Sequence, residues 1–290
     1  MLRLAVRVSR AQAELALAEL IELIPDGVEE VDIDADTVEY AIYGAPGELP
    51  ELPALRAAAG GALVDILTTE VADDWADRWR EFHKPLVLGT RLSVRPPWEP
   101  EQGTELELVI DPGRAFGTGA HATTRLCLEM LLDMKPAIDR ELPEPSIQTS
   151  QPAVIDLGCG SGVLAIAAAK LGWSTVWALD YDQLCIDATR ENAQVNSVEL
   201  AAIERFDLRE DEVPAAGLVL ANLLAPLLLI WARQMARRGP GFLPRQIIAS
   251  GLLRTEADAV SQAFAYGYDE SRRMEQGDWA ALLLTRRQPR

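Results

Sequence analysis

Residues 153–162 read AVIDLGCGSG: an apolar run with one acid, then glycines at 158, 160 and 162. The run 153–157 is too short for a helix and apolar on both faces. It therefore predicts a strand buried on both sides, the habit of parallel sheets covered by helices. The next stretch, VLAIAAAKLG (163–172), is apolar, rich in alanine and stopped by a glycine, and predicts a helix. A strand that turns straight into a helix through glycines matches the ligand corner of a doubly wound α/β fold. There the missing Cβ atoms let the backbone turn sharply and approach a ligand, and the helix start offers free N–H groups. Outward toward the C-terminus the alternation continues: STVWALD (174–180), QLCIDATRENAQVNS (183–197), AAIERFD (201–207) and GLVLANLL (217–224) read strand, helix, strand, strand. The fold class that follows is α/β, with a doubly wound, mostly parallel sheet.

Toward the N-terminus the pattern changes. LRLAVRV (2–8) reads as a strand, and AQAELALAELIELI (11–24) as an amphipathic helix stopped by Pro25, Asp26 and Gly27. VEEVDID (28–34) and VEYAIYG (38–44) read as two strands about a turn at 34–36. LPALRAAAGG (52–61) is a short helix and ALVDILTTEV (62–71) a last strand. The order β-α-β-β-α-β predicts a small ferredoxin-like α+β domain over residues 1–72. Trp75, Trp79 and Phe82 recur at helical spacing in 73–83, which reads as a linker helix or as the first element of the second domain; residues 84–290 form the larger domain. Within it, LVLGTRLSVRPPW and TELELVIDPG read as strands and HATTRLCLEMLLDM (121–134) as a helix. Residues 135–152, with four prolines, read as a surface loop or insertion.

Composition narrows the classes. No apolar run reaches the ~20 residues of a membrane span, and residues 1–20 lack a signal-peptide layout, so a cytoplasmic protein without a membrane role is expected. Cys127, Cys159 and Cys185 are scattered, without C-x-x-C spacing, and read as buried small hydrophobes; with only His83 and His121 in the chain, no metal is expected. The net charge of −18 disfavours direct contact with nucleic acid and suits a basic protein partner. A monomer is the expected state.

The glycine turn leaves two adenosine cofactors to weigh. A dinucleotide turn, G-x-G-x-x-G, would put its third glycine at Val163, whereas here it stands at Gly162. The acid Asp156 just before the turn opposes a pyrophosphate and suits a zwitterionic ligand. Asp180 ends the next strand about twenty residues on, where a carboxylate can accept both ribose hydroxyls; Asp182 is its nearby competitor. Asn222, a lone amide at the end of another apolar strand, can hold an amine, or can cap the following helix. In DPGRAFGTGAHATT (111–124), Phe116 stands among glycines in a segment suited to a lid. Thr123 and Thr124 can cap the next helix, and His121 is either a base or a structural residue.

Taken together, WADRWREFHKP, DPGRAFGTGAHATTRLCLEML, VIDLGCGSGVLAIAAAKLG and ANLLAPL resemble the bacterial methyltransferases of large-subunit ribosomal protein eleven, over nearly the whole chain. The short glycine pattern with its preceding acid is likewise similar to class I S-adenosylmethionine-dependent methyltransferases. The resemblance implies a Rossmann-like catalytic domain behind a substrate-gripping ferredoxin-like domain. It also implies transfer of methyl groups from S-adenosylmethionine to lysine ε-amines and the N-terminal α-amine of that ribosomal protein. Carried over, the cofactor contacts fall on Phe116, Thr124, Gly158, Gly160, Asp180 and Asn222, and the catalytic groups on the Asn222 side chain and the Leu223 carbonyl. Ala120 and Ala122 stand where the family has Thr and Pro, and Leu223 where it has Ile. The rival expectations are a lysine methyltransferase with another protein substrate, a nicotinamide-dependent oxidoreductase, and a silent ribosome-binding module.

Overall fold

In a computed structural model the chain is described over residues 2–13, 16–17, 20, 29–34, 36–44, 49–50, 52–70, 84–111, 121–141, 153–238 and 243–287. It divides into two compact units, 1–82 and 83–290. The reading of residues 73–83 as a linker helix, and with it Trp75, Trp79 and Phe82, lies outside the described residues.

In the first unit, strands β1 (Leu2–Ser9), β2 (Glu29–Asp32), β3 (Thr37–Gly44) and β4 (Leu63–Glu70) form one sheet in the order β2-β3-β1-β4. All its pairings are antiparallel. Helix α1 (Leu52–Ala59) and the helical residues 13, 16, 17 and 20 supply the layer expected of a ferredoxin-like sandwich. Alternation along the strands sends Leu4, Val6, Val8, Val38, Tyr40 and Ile42 into one core with Leu20 and Leu55. On the other face Glu39 is buried, bonded to Arg3 and to Arg7. The two guanidiniums hold its carboxyl below the ordinary range against the opposing effect of burial.

The second unit opens with β5 (Leu86–Leu88), β6 (Leu92–Arg95) and β7 (Leu106–Val109), which make a three-stranded sheet of their own. Helix α2 (Ala122–Glu141) follows. The expected loop at 135–152 is corrected here in its first part: α2 runs on through Pro136 to Glu141. Residues 142–152 lie outside the described residues.

Then come β8 (Val154–Leu157), α3 (Val163–Lys170), β9 (Val176–Asp180), α4 (Gln183–Val195), β10 (Ala202–Arg205), β11 (Leu218–Asn222), α5 (Ala225–Ala236), β12 (Gln246–Leu253), α6 (Ala257–Phe264), β13 (Tyr268–Gln276) and β14 (Trp279–Arg286). Their strands form a seven-stranded sheet, β10-β9-β8-β11-β12-β14-β13. From β10 to β12 the strands are parallel. Strand β14 pairs antiparallel with both β12 and β13, so the last strand is inserted between the fifth and sixth. A dinucleotide fold has the order 3-2-1-4-5-6 without that insertion. Two cores cover the faces, one gathering α2, α3 and the three-stranded sheet, the other gathering α5 and α6 around Trp231, Phe264 and Tyr268. Strand order reverses between β8 and β11, which places a crevice at their carboxyl ends.

Candidate active site

The glycine turn fills that crevice's floor. Strand β8 ends at Leu157, and Gly158, Gly160 and Gly162 all take left-handed backbone angles, φ 74°, 54° and 80°. Only glycine enters that region without steric cost. Two of the three positions are also crowded: a Cβ on Gly158 would lie 2.4 Å from Leu223 Cδ2, and one on Gly162 would lie 2.7 Å from Thr189 Cγ2. The turn is pinned at its entry, where the Gly158 and Cys159 N–H groups both donate to the Leu179 carbonyl, at 2.8 and 3.1 Å.

Beside the turn lies a cavity of about 360 Å³. Its walls bring together Thr124, Gly158, Gly160, Asp180, Asn222 and Leu223 from four separate stretches of sequence. Phe116 lies outside the described residues.

Asp180, at the end of β9, takes the Gly160 N–H on one carboxylate oxygen (2.9 Å) and the Asp182 N–H on the other (3.0 Å). Burial pushes its carboxyl above the usual range, with those N–H groups opposing. The competitor Asp182 is occupied elsewhere: it caps α4, accepting from the Leu184 N–H at 2.9 Å. Asp156 is fully buried and not part of the cavity wall; one oxygen accepts from the Ala165 N–H at 2.9 Å, in the first turn of α3, and the other has no partner. Burial lifts its carboxyl to about 7, and the nearby Asp180 charge pushes the same way.

Asn222 ends β11, with its amide nitrogen 3.4 Å from Thr124 Oγ1 and its amide oxygen buried and without a partner. The capping alternative fails, because the N-cap of α5 is Leu224, two residues on. The Leu223 N–H donates to the Ser250 carbonyl at 3.0 Å, and Gly251 packs so close that a Cβ there would lie 2.6 Å from the Leu223 oxygen.

His121 has the structural role. Its Nδ1 lies 2.8 Å from Thr123 Oγ1 and accepts from the Thr123 N–H at 3.4 Å, so the imidazole caps α2; its ring stands edge-on to Trp279 at 4.7 Å. Burial lowers its basicity. Thr123 and Thr124 stand inside the first turn and do not cap it. Cys159 and Cys185 line the cavity with thiols that burial holds protonated, Cys185 up to about 12. Among the described residues no group of three or more His, Cys, Asp or Glu is placed to hold a metal ion, and no helix is long and apolar enough to cross a membrane.

Several lining residues carry no sequence motif. Tyr181 follows Asp180, while Phe206, Asp207, Leu208 and Arg209 follow β10, the strand paired with β9. Asp207 accepts from the Arg209 backbone N–H at 2.9 Å, and the Arg205 and Arg209 guanidiniums stand 5.0 and 5.2 Å from the Tyr181 ring centre. Asp207 could have been found as an acid closing a strand, as Asp180 was; Phe206 and Leu208 carry no signal beyond being apolar. Tyr181, Phe206 and Leu208 give this part of the lining aromatic and apolar surface with the Asp207 acid among them, a set that suits a purine.

A sheet with its last strand inserted antiparallel, a left-handed glycine turn at the point where strand order reverses, and an acid ending the adjoining strand define the Rossmann-like class of S-adenosylmethionine-dependent methyltransferases. The comparisons with known proteins narrow the class. A family model described as ribosomal protein L11 methyltransferase (PrmA) matches residues 9–287, and the chain belongs to that family. A relative of that name from Burkholderia multivorans is 33% identical over 98% of each chain. Another, from Caldanaerobacter subterraneus subsp. tengcongensis, is 33% identical over 82% of this chain and 72% of its own. The crystal structure of a ribosomal protein L11 methylase from Lactobacillus delbrueckii subsp. bulgaricus superposes with a TM-score of 0.58 at 30% identity, covering 70% of this chain and 99% of that one.

Proposed function

We propose that the protein transfers methyl groups from S-adenosylmethionine to amines of ribosomal protein L11, the ε-amines of lysines and the N-terminal α-amine. Family membership supports the substrate. The observation that carries the chemistry is the Asn222 amide oxygen, buried and unpartnered in the wall of the cavity that Asp180 and the glycine turn also line. A buried acceptor without a donor costs free energy, so it marks a place where a ligand's donor belongs. An amine N–H is such a donor.

When bound, S-adenosylmethionine supplies a methyl group already activated on a sulfonium. The residues that would hold it are Gly158 and Gly160, through their backbone, Asp180, whose carboxylate would take the ribose hydroxyls, and Thr124 with Asn222, to which the resemblance adds Phe116. The enzyme's work is then position and solvent exclusion; holding two reactants in line is worth roughly 7–11 kcal/mol. The acceptor must also be neutral. Less than about one part in a thousand of a lysine with pKa ~10.4 is neutral at pH 7, a cost of ~4–5 kcal/mol, part of which a dry pocket recovers. The Asn222 oxygen and the Leu223 carbonyl accept the amine's hydrogens and turn its lone pair toward the methyl group. Water takes the released proton. Residues 1–72 serve as the domain that grips the substrate, 73–83 as the linker and 84–290 as the methyltransferase domain. The enzyme works as a cytoplasmic monomer and requires no metal, nucleic acid or membrane.

The test is the intact mass of free ribosomal protein L11 after incubation with the enzyme and S-adenosylmethionine. Steps of one methyl group are expected, falling about 100-fold in rate for Asn222→Ala, and fragmentation places the modified amines. Full transfer by Asn222→Ala, with unchanged S-adenosylhomocysteine binding, would remove the assignment of Asn222. An unchanged mass, with the cofactor bound, would move the substrate to another basic protein.

A further inference from the structure

Helix α4 buries a polar face. Thr189, Asn192 and Asn196 recur at spacings of three and four, which puts them on one side of the helix, and all three are under 7% exposed. Apolar residues would be the default there, because a buried amide is costly unless every polar atom is bonded. Each of these is bonded to main chain. The Thr189 hydroxyl donates to the Gly160 carbonyl at 3.0 Å. Asn192 donates to the Ser161 carbonyl at 2.9 Å and accepts from the Asp111 N–H at 3.0 Å. Asn196 accepts from the Val109 N–H at 2.9 Å and donates to the Val109 carbonyl at 2.6 Å.

The Asn192 bonds admit little substitution. One neighbour is a backbone acceptor and the other a backbone donor, so the side chain must present N–H to one and C=O to the other at the same reach. Aspartate keeps the Asp111 bond and sets a carboxylate against the Ser161 carbonyl. Neither Thr189 nor Asn192 lines the cavity, yet the turn they hold does. The Gly160 N–H, one side of the residue whose carbonyl Thr189 holds, donates to Asp180. The Thr189 methyl also fills the space beside Gly162 that a Cβ would need.

We propose that Thr189 and Asn192 are positioning residues that clasp the glycine turn, and that Asn192 couples cofactor binding at the turn to the chain leaving β7 at Asp111. The proposal rests on the reading of the cavity as the S-adenosylmethionine site. Asn196, bonded to Val109 and to the Asn192 carbonyl (2.8 Å) but not to the turn, serves as the comparison.

The test uses the full chain, titrated with S-adenosylhomocysteine by calorimetry, with amide hydrogen exchange followed at Val109, Asp111, Gly160 and Gly162. Asn192→Ala is expected to weaken binding about tenfold, to speed exchange at Asp111 and the turn together, and to abolish the protection that the ligand confers on Asp111. Asn192→Asp is expected to keep Asp111 protected and still lose affinity. Thr189→Val keeps the side chain's volume, so it also serves should Asn192→Ala not fold; it is expected to bind about tenfold more weakly, with Thr189→Ser recovering most of the loss. Asn196→Ala is expected to lose melting temperature and exchange protection at Val109 with affinity unchanged. Wild-type affinity in Asn192→Ala, Asn192→Asp and Thr189→Val alike would overturn the coupling and leave these residues a purely structural role. A wild-type chain that does not bind S-adenosylhomocysteine would overturn the cofactor reading and the coupling with it, while the exchange rates of the unliganded variants would still judge the clasp.

Discussion

Gly251→Ala is the substitution that most directly probes the amine site without replacing a proposed catalytic residue. Gly251 has φ 80°, and a Cβ there would meet the Leu223 backbone at 2.6 Å from O, 2.8 Å from C and 2.9 Å from N. Gly277, at the β13–β14 turn, has φ 58° with nothing within 4 Å of its would-be Cβ. Alanine at either position bears the left-handed penalty of about 1–2 kcal/mol. Only at 251 must main chain also give way, adding about 1–3 kcal/mol as overpacking does. In a domain of this size each kcal/mol moves the melting temperature by about 2–4 °C. Gly277→Ala is therefore expected to fall by about 2–8 °C, and Gly251→Ala by about 4–20 °C. The functional difference is sharper. The main chain that yields is Leu223, directly after Asn222 at the end of β11, and a shift approaching 1 Å at a reacting centre costs on the order of 100-fold. Transfer to ribosomal protein L11 should fall by that order in Gly251→Ala while S-adenosylhomocysteine binding at the glycine turn largely persists, and Gly277→Ala should transfer at the wild-type rate. Equal melting temperatures and equal rates in the two variants would refute the placement of Leu223 against Gly251.

Asp156, buried and lifted to about 7 from 3.8, gives a signed pH effect. Between pH ~4 and ~7 the native state holds a proton that the unfolded chain has released, so this group's stabilisation is complete below the unfolded pKa and is lost as pH rises through the folded one. Asp156→Asn removes that dependence. Its melting temperature relative to wild type should climb from pH 4 to 7, by up to the order of 4 kcal/mol in stability, then level off; a difference independent of pH would contradict the raised carboxyl. His121→Ala should lower stability by about 1 kcal/mol through loss of the α2 cap, with His121→Asn recovering it. The pH–rate profile of both should match wild type, and a lost limb in that profile would instead make His121 a catalytic base.

Local chemistry made part of this protein legible without coordinates. Three glycines in five positions after a short apolar run predict a sharp turn, and Gly158, Gly160 and Gly162 make it with positive φ. Apolar periodicity, a property of single elements, likewise marked the strands from β8 to β11, and Asp180 stood out as the acid ending one of them. What the sequence left open was decided by packing between distant segments. Asp180 and Asp182 are both acids near a strand end, and only the fold shows one facing the cavity and the other capping α4. The insertion of β14 between β12 and β13 depends on which edges pair, which no local pattern encodes. Phe206 and Leu208 reach the cavity because β10 lies beside β9, and Asn192 meets Asp111, 81 positions away, because α4 crosses behind the glycine turn. Periodicity records how a residue faces its own helix or strand; its partners across the chain exist only once the layers have packed.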